Sequence, residues 1–113
     1  MHWIELQTQQ LLADLHDTSF IKPQVIFKHS IRCSISALAL NRFEREATAV
    51  DRVDFYYLDL IKYRELSNRI ASDYKVYHES PQLLLISNGN CIYEASHYEI
   101  RFGDLMEQLS SAN

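Results

Sequence analysis

Apolar runs of strand type alternate with stretches of helical period along almost the whole chain, and the alternation closes on a tight turn. Trp3-Ile4-Glu5-Leu6 can form a short edge strand, and Gln24-Val25-Ile26-Phe27-Lys28 is β-branched and apolar, as a strand covered on both faces requires. Val53 to Leu58 and Pro81 to Ile86 are further strand candidates. Between these runs the period changes. Leu11, Leu12 and Leu15 follow helical spacing behind Thr8, a natural cap. Ile35, Leu38, Ala39 and Phe43 mark one face of a helix from Ser34 to Ala47, with Arg42 and Glu46 as an i, i+4 pair on the other. Tyr63, Leu66, Ile70 and Tyr74 stripe a third helix, and Phe102, Leu105, Met106 and Leu109 a fourth.

Asn88-Gly89 lies between the Ile86 run and Cys91-Ile92-Tyr93-Glu94. A two-residue hairpin turn needs positive φ at both central residues, and Asn-Gly supplies it at least steric cost. The predicted order is therefore βαβαβαββα. Strands alternating with helices imply crossover connections, a mostly parallel core and helices on both faces of the sheet, and the last hairpin adds an antiparallel edge. The 113 residues suit one α/β domain over 1–113, large enough to bury roughly two-thirds of its unfolded surface without staples.

One cysteine sits where this pattern gives it chemistry. Cys33 follows the Phe27-Lys28-His29-Ser30 strand end and stands at the start of the second helix. Unpaired N–H groups and aligned peptide dipoles at a helix start favour a negative charge, and it is the thiolate that does thiol chemistry. The backbone N–H groups of Ser34, Ile35 and Ser36 are placed to face the sulfur, Arg32 adds a fixed positive charge, and the Ser36 hydroxyl is a candidate hydrogen-bond donor to it. The position three residues on is Ser36, not a second cysteine, so a mixed disulfide on Cys33 has to be resolved by an outside thiol. Ser80-Pro81 opens a later strand. A thiol at a strand-to-helix turn and a distant proline at a strand start make up the layout of a thioredoxin-like redox site. In such sites the proline is cis and lies against the sulfur, and the residue before it, here Ser80, pairs with the backbone of a bound partner.

Three separated segments resemble those of one family. Ile26-Phe27-Lys28-His29-Ser30-Ile31-Arg32-Cys33-Ser34-Ile35-Ser36 resembles the active-site signature of the YtxJ-like redox proteins of the bacillithiol system, the monothiol bacilliredoxins. Val76-Tyr77-His78-Glu79-Ser80-Pro81-Gln82 is similar to the family's proline segment, and Ala95-Ser96-His97-Tyr98-Glu99-Ile100 to its third block. Two positions depart from the family pattern: Ser34 stands where a proline is common, and Ile31 where a threonine is. The resemblance implies a thioredoxin-like fold and Cys33 as the nucleophile. It implies bacillithiol as co-substrate, S-thiolated proteins as partners and a cytoplasmic setting. His29, His78 and His97 stand one beside each block and are candidates, with Ser80 and Pro81, for contact with the bound thiol or its protein. Bacillithiol carries carboxylates, for which a nearby cation such as Arg32 is a sensible partner.

Several other classes are disfavoured. A formal net charge of −4 does not suit a general grip on nucleic acid, which needs clustered Lys and Arg. No apolar run approaches the ~18 residues of a membrane span, and the first residues lack the pattern of a secretion signal. Cys33 and the histidines match no recurring zinc spacing, so no metal is expected. Cys91 has no charge cluster around it and reads as structural. Two rivals share the same residues: an exchanger that uses glutathione or coenzyme A, and a non-catalytic thioredoxin-like module that binds a partner at the Pro81 groove.

Overall fold

The computed structural model describes residues 1–111. Its elements are β1 (Ile4–Glu5), α1 (Gln9–Thr18), β2 (Gln24–His29), α2 (Ser34–Glu46), β3 (Asp54–Asp59), α3 (Arg64–Tyr74), β4 (Gln82–Ser87), β5 (Asn90–Ser96) and α4 (Phe102–Ser111). A three-residue 3₁₀ turn, His97–Glu99, separates β5 from α4. The single sheet has the order β1-β3-β2-β4-β5. β1 and β2 run parallel to β3, and the β4–β5 hairpin joins β2 antiparallel. The expected parallel core with an antiparallel hairpin at one edge is thus the observed sheet. No helix of the described residues is long and apolar enough to cross a membrane.

Period-two alternation divides the apolar residues between two cores. Val25, Phe27, Leu83 and Leu85 face α2 and α4, where Phe43, Phe102, Leu105 and Leu109 close over them. Ile26, Leu84 and Ile86 face α1 and α3, against Leu12, Leu15, Leu66 and Ile70. The Trp3 ring, edge-on to Phe27 at 5.7 Å and to Phe55 at 6.0 Å, pins the two-residue β1 onto the first core.

The local signals act as chemistry requires. Thr8 caps α1 by accepting from Leu11 N–H at 3.0 Å. Asn88 and Gly89 both take positive φ, 52° and 77°. Ser19 ties down this turn from α1, its carbonyl accepting from Asn88 N–H at 2.8 Å and its hydroxyl from Gly89 N–H at 2.9 Å.

Two expectations for α2 fail. Its buried residues are Ser36, Ala39 and Phe43, while Leu38 is 62% exposed and Ile35 37% exposed. The stripe runs at the predicted spacing but is rotated, because one core-facing position carries a serine. Arg42 and Glu46 also do not serve as a solvent-facing pair. Arg42 reaches the carbonyls of Tyr98 at 2.7 Å and Ile100 at 3.0 Å. Glu46 pairs with Arg101 and accepts from Phe102 N–H at 3.2 Å, so its carboxylate sits at the start of α4. The hydrogen bonds from Arg101 hold the Glu46 carboxyl below the usual carboxylate range.

Candidate active site

β2 ends at His29, and a tight turn carries the chain into α2. Cys33 N–H donates to Ser30 O at 3.2 Å, which closes this turn and puts Cys33 at the N-cap of α2 with extended dihedrals. The cysteine is free and half-buried, and its side chain makes no capping hydrogen bond. The chain continues directly into the exposed first turn of α2, where Ser34 and Ile35 reach solvent. Arg32 and Ile31 are exposed on the other side of the sulfur, Ile31 by 67%. A thiol in this position has open helix N–H groups on one side, a guanidinium next in sequence and an approach from solvent, a setting that suits nucleophilic sulfur.

The structure moves two of the predicted site residues inward. Ser36 is fully buried, and its hydroxyl accepts from Ser30 N–H at 3.0 Å and bonds His29 Nδ1 at 2.7 Å. The hydrogen bond expected from Ser36 to Cys33 is therefore replaced by one to His29. His29, expected among the ligand contacts, is only 5% exposed. Its ring lies under the first turn of α2 and packs 5.6 Å from the Tyr57 ring. The cause is register: His29 continues the Val25–Phe27 face of β2, which points under α2.

The proline segment comes next to this loop through sheet pairing. Lys28 pairs with Gln82, so the residues just before β4 lie beside the end of β2. The Ser80–Pro81 peptide bond is cis. His97 N–H donates to Pro81 O at 3.1 Å, and Arg42 holds the 3₁₀ turn from α2 by its bonds to Tyr98 and Ile100. The three segments singled out in the sequence thus meet at one end of the sheet. Ser80 Oγ is buried without a hydrogen-bond partner. His97 adopts φ 56° and its half-exposed ring lies 3.8 Å from Glu79. His78 bonds the Ser67 hydroxyl at 3.4 Å from the α3 side, and burial, Lys28 and Arg64 lower its proton affinity.

Lys28, near the end of β2, is a buried cation that sequence reading missed. It is fully buried and donates from Nζ to Ser67 O at 3.0 Å. Burial pushes its pKa down from 10.5 to about 8. The signal available was its place inside an apolar run, at a position the strand pattern marks as covered. Cys91, by contrast, lies in β5 opposite Ile86, toward the other end of the sheet. It donates to Tyr93 O at 3.3 Å, and burial pushes its thiol up to about 11.

Comparisons with known proteins agree with this geometry. The family described as Monothiol bacilliredoxin BrxC matches residues 4–105. A thioredoxin-fold protein to which oxidoreductase activity is ascribed is 31% identical, with a TM-score of 0.78 over 94% of this chain and 92% of its own. Thioredoxin from Malassezia sympodialis superposes with a TM-score of 0.72 at 16% identity, covering 98% of this chain and 96% of its own. Thioredoxin from Fasciola hepatica gives 0.71 at 18% identity, covering 96% and 98%. The two thioredoxins speak to the fold alone.

Proposed function

The chain belongs to the monothiol bacilliredoxin family, and from that premise we propose that it removes bacillithiol from protein mixed disulfides through Cys33. Membership makes it a thiol-disulfide oxidoreductase; the identity of the thiol and the roles of the residues are the proposal. The Cys33 thiolate attacks the bacillithiol sulfur of an S-thiolated protein. A new S–S bond joins Cys33 to bacillithiol, and the protein thiolate departs with the electron pair of the broken bond. A second bacillithiol or a partner thiol then resolves the adduct, since Ser36 offers no resolving sulfur. The helix N–H groups of Ser34 and Ile35 and the Arg32 charge stabilise the thiolate, and Arg32 steers the carboxylates of the co-substrate. Ser80, Pro81, His78 and His97 form the wall against which the partner lies. S-thiolated cytoplasmic proteins are the substrates this reading implies.

The observation that supports the reading is a half-buried free thiol at the N-cap of a thirteen-residue helix that follows β2, with a cis Ser80–Pro81 bond leading into the strand that pairs with β2. Intact-mass measurement after incubation with protein mixed disulfides of bacillithiol, glutathione and coenzyme A tests it. The expected result is a bacillithiol adduct on Cys33, formed faster than the other two and absent in Cys33→Ser. Equal rates with all three thiols would remove the bacillithiol assignment, and no adduct on Cys33 would remove the exchange reaction itself.

A further inference from the structure

The proline segment is held by hydrogen bonds that lead back to α2, the helix that begins at Cys33. Ladder pairing fixes β4 from Gln82 onward, between Lys28 of β2 and Ser96 of β5. Pro81 stands just before that ladder, and its carbonyl accepts from His97 N–H at 3.1 Å. His97 has φ 56°, a left-handed conformation that a residue with a Cβ enters at a cost, so other contacts have to hold it there. Those contacts come from α2. Arg42 Nη2 donates to Tyr98 O at 2.7 Å and to Ile100 O at 3.0 Å, on either side of Glu99. Ile100 N–H in turn donates to His97 O at 3.4 Å and closes the turn.

Arg42 has an ordinary partner within reach and does not take it. Glu46 stands at i+4 on the same helix, where a helical cation usually finds its carboxylate, yet Glu46 pairs with Arg101. Among the described residues Arg42 pairs with no carboxylate, and its Nε is buried without an acceptor. The guanidinium gives up part of its hydration to bind two backbone carbonyls. The half-exposed contact between His97 and Glu79, at 3.8 Å, adds little beside them. Arg42, the His97–Glu99 turn and Pro81 O thus form a tie from α2 to the proline segment, and its joints are hydrogen bonds.

Resting on Ser80 and Pro81 as the partner contacts of the exchange reaction, we propose that Arg42 is a positioning residue for that reaction, acting through the His97–Glu99 turn. The tie holds the Ser80–Pro81 backbone in one pose before a partner arrives, so the partner does not have to order it on binding. Arg42 lies about two and a half helical turns along α2 from Cys33, and it acts on the turn rather than on the sulfur. Its loss therefore weakens capture of a protein substrate and leaves the reactivity of the thiol alone. The substrates that depend on it are those that lay a polypeptide backbone along the proline segment. A small disulfide has no backbone to lay there.

Exchange kinetics of Cys33 with two disulfides test the tie: a protein mixed disulfide of bacillithiol, and bis(2-hydroxyethyl) disulfide. In Arg42→Met the half-saturating concentration of the protein substrate is expected to rise about tenfold, the effect of one net hydrogen bond, with the maximal rate within about twofold of wild type. Exchange with bis(2-hydroxyethyl) disulfide should keep its wild-type rate, and so should alkylation by iodoacetamide, read on the Cys33 peptide so that Cys91 does not contribute. An unchanged half-saturating concentration overturns the proposal. So does a fall in all of these rates together, which would mean that α2 has loosened as a whole. A second measurement uses the wild-type protein, so no folding defect can obscure it. Amide hydrogen exchange at His97 should be slow, because Pro81 O holds that N–H; exchange at the rate of an open loop overturns the tie. A wild type inert toward both disulfides would sink the functional reading, whereas a reactive wild type that Arg42→Met leaves unaltered sinks this inference alone.

Discussion

Replacing Lys28 by Met should change how stability responds to pH, by an amount the buried ammonium sets. Lys28 has no exposed surface and, among the described residues, no carboxylate partner; its Nζ holds only Ser67 O, at 3.0 Å. Its pKa falls from 10.5 in the unfolded chain to about 8 in the fold. Below the folded value both states carry the proton, and the full cost of burying the charge is present. As pH rises through about 8 the folded chain releases its proton while the unfolded chain keeps its own, so stability rises until the unfolded lysine also titrates. At about 1.36 kcal/mol per pH unit, wild type gains about 3 kcal/mol over Lys28→Met by pH 10.5, roughly half of it by pH 9. Urea unfolding followed by circular dichroism at a series of pH values measures the difference, which corresponds to a midpoint shift on the order of 1 to 3 M urea. Taking wild type minus variant cancels the tyrosines and Cys91, which titrate alike in both. A gap that stays constant within about 0.5 kcal/mol across this range would show that Lys28 is not desolvated as the structure has it. The variant should also raise the titration midpoint of His78, since burial and then the Lys28 charge hold it down.

Two further substitutions probe the frame of the fold. Gly89→Ala should cost on the order of 2 kcal/mol in urea unfolding, because residue 89 has φ 77° and a Cβ there would lie 2.7 Å from the Phe20 ring; a loss below about 0.5 kcal/mol would mean that the turn relaxes freely. Arg42→Met keeps the aliphatic stem but strips donors from Tyr98 O and Ile100 O, with an expected loss of about 2 kcal/mol and faster hydrogen exchange at His97 and Ile100; unchanged exchange at both amides would refute the anchoring role.

The sheet was legible because its signals are local or periodic. The Val25–Phe27 and Leu83–Ile86 runs carry the two-core alternation in their own residues, and Asn88-Gly89 specifies its turn through dihedrals alone. The phase of α2 was not legible, because Ser36 occupies a core-facing position for the sake of two polar contacts with His29 and Ser30. A hydrophobic stripe drawn through apolar residues then falls on Ile35 and Leu38. The 3₁₀ turn at His97–Glu99 escaped for a related reason: carbonyls there are held by Arg42, more than fifty residues earlier. Lys28 escaped because lysine is rarely fully buried, and its partner is a backbone carbonyl of α3 that no local pattern announces. Where a polar side chain stands in for an apolar one, its reason lies in tertiary contacts, and those are concentrated where the three segments meet.

The two polar residues that end β2 serve opposite faces of the sheet, and that separation has a measurable consequence. Lys28 points toward α3, where Ser67 also bonds His78 of the proline segment. His29 points toward α2, where Ser36 joins it beneath Cys33. One strand end thus supports the thiol loop from one side and the proline segment from the other, with no shared hydrogen-bond partner. Neighbours in sequence ordinarily couple when they share partners or a cavity. Here the backbone of β2 lies between the two sets of contacts. Lys28→Met and His29→Asn should therefore add in stability within about 0.5 kcal/mol, although their Cα atoms are adjacent. A coupling energy well above about 1 kcal/mol, read from the double-mutant cycle at one pH, would mean that the two faces act as one network and that the strand end transmits strain between the thiol loop and the proline segment.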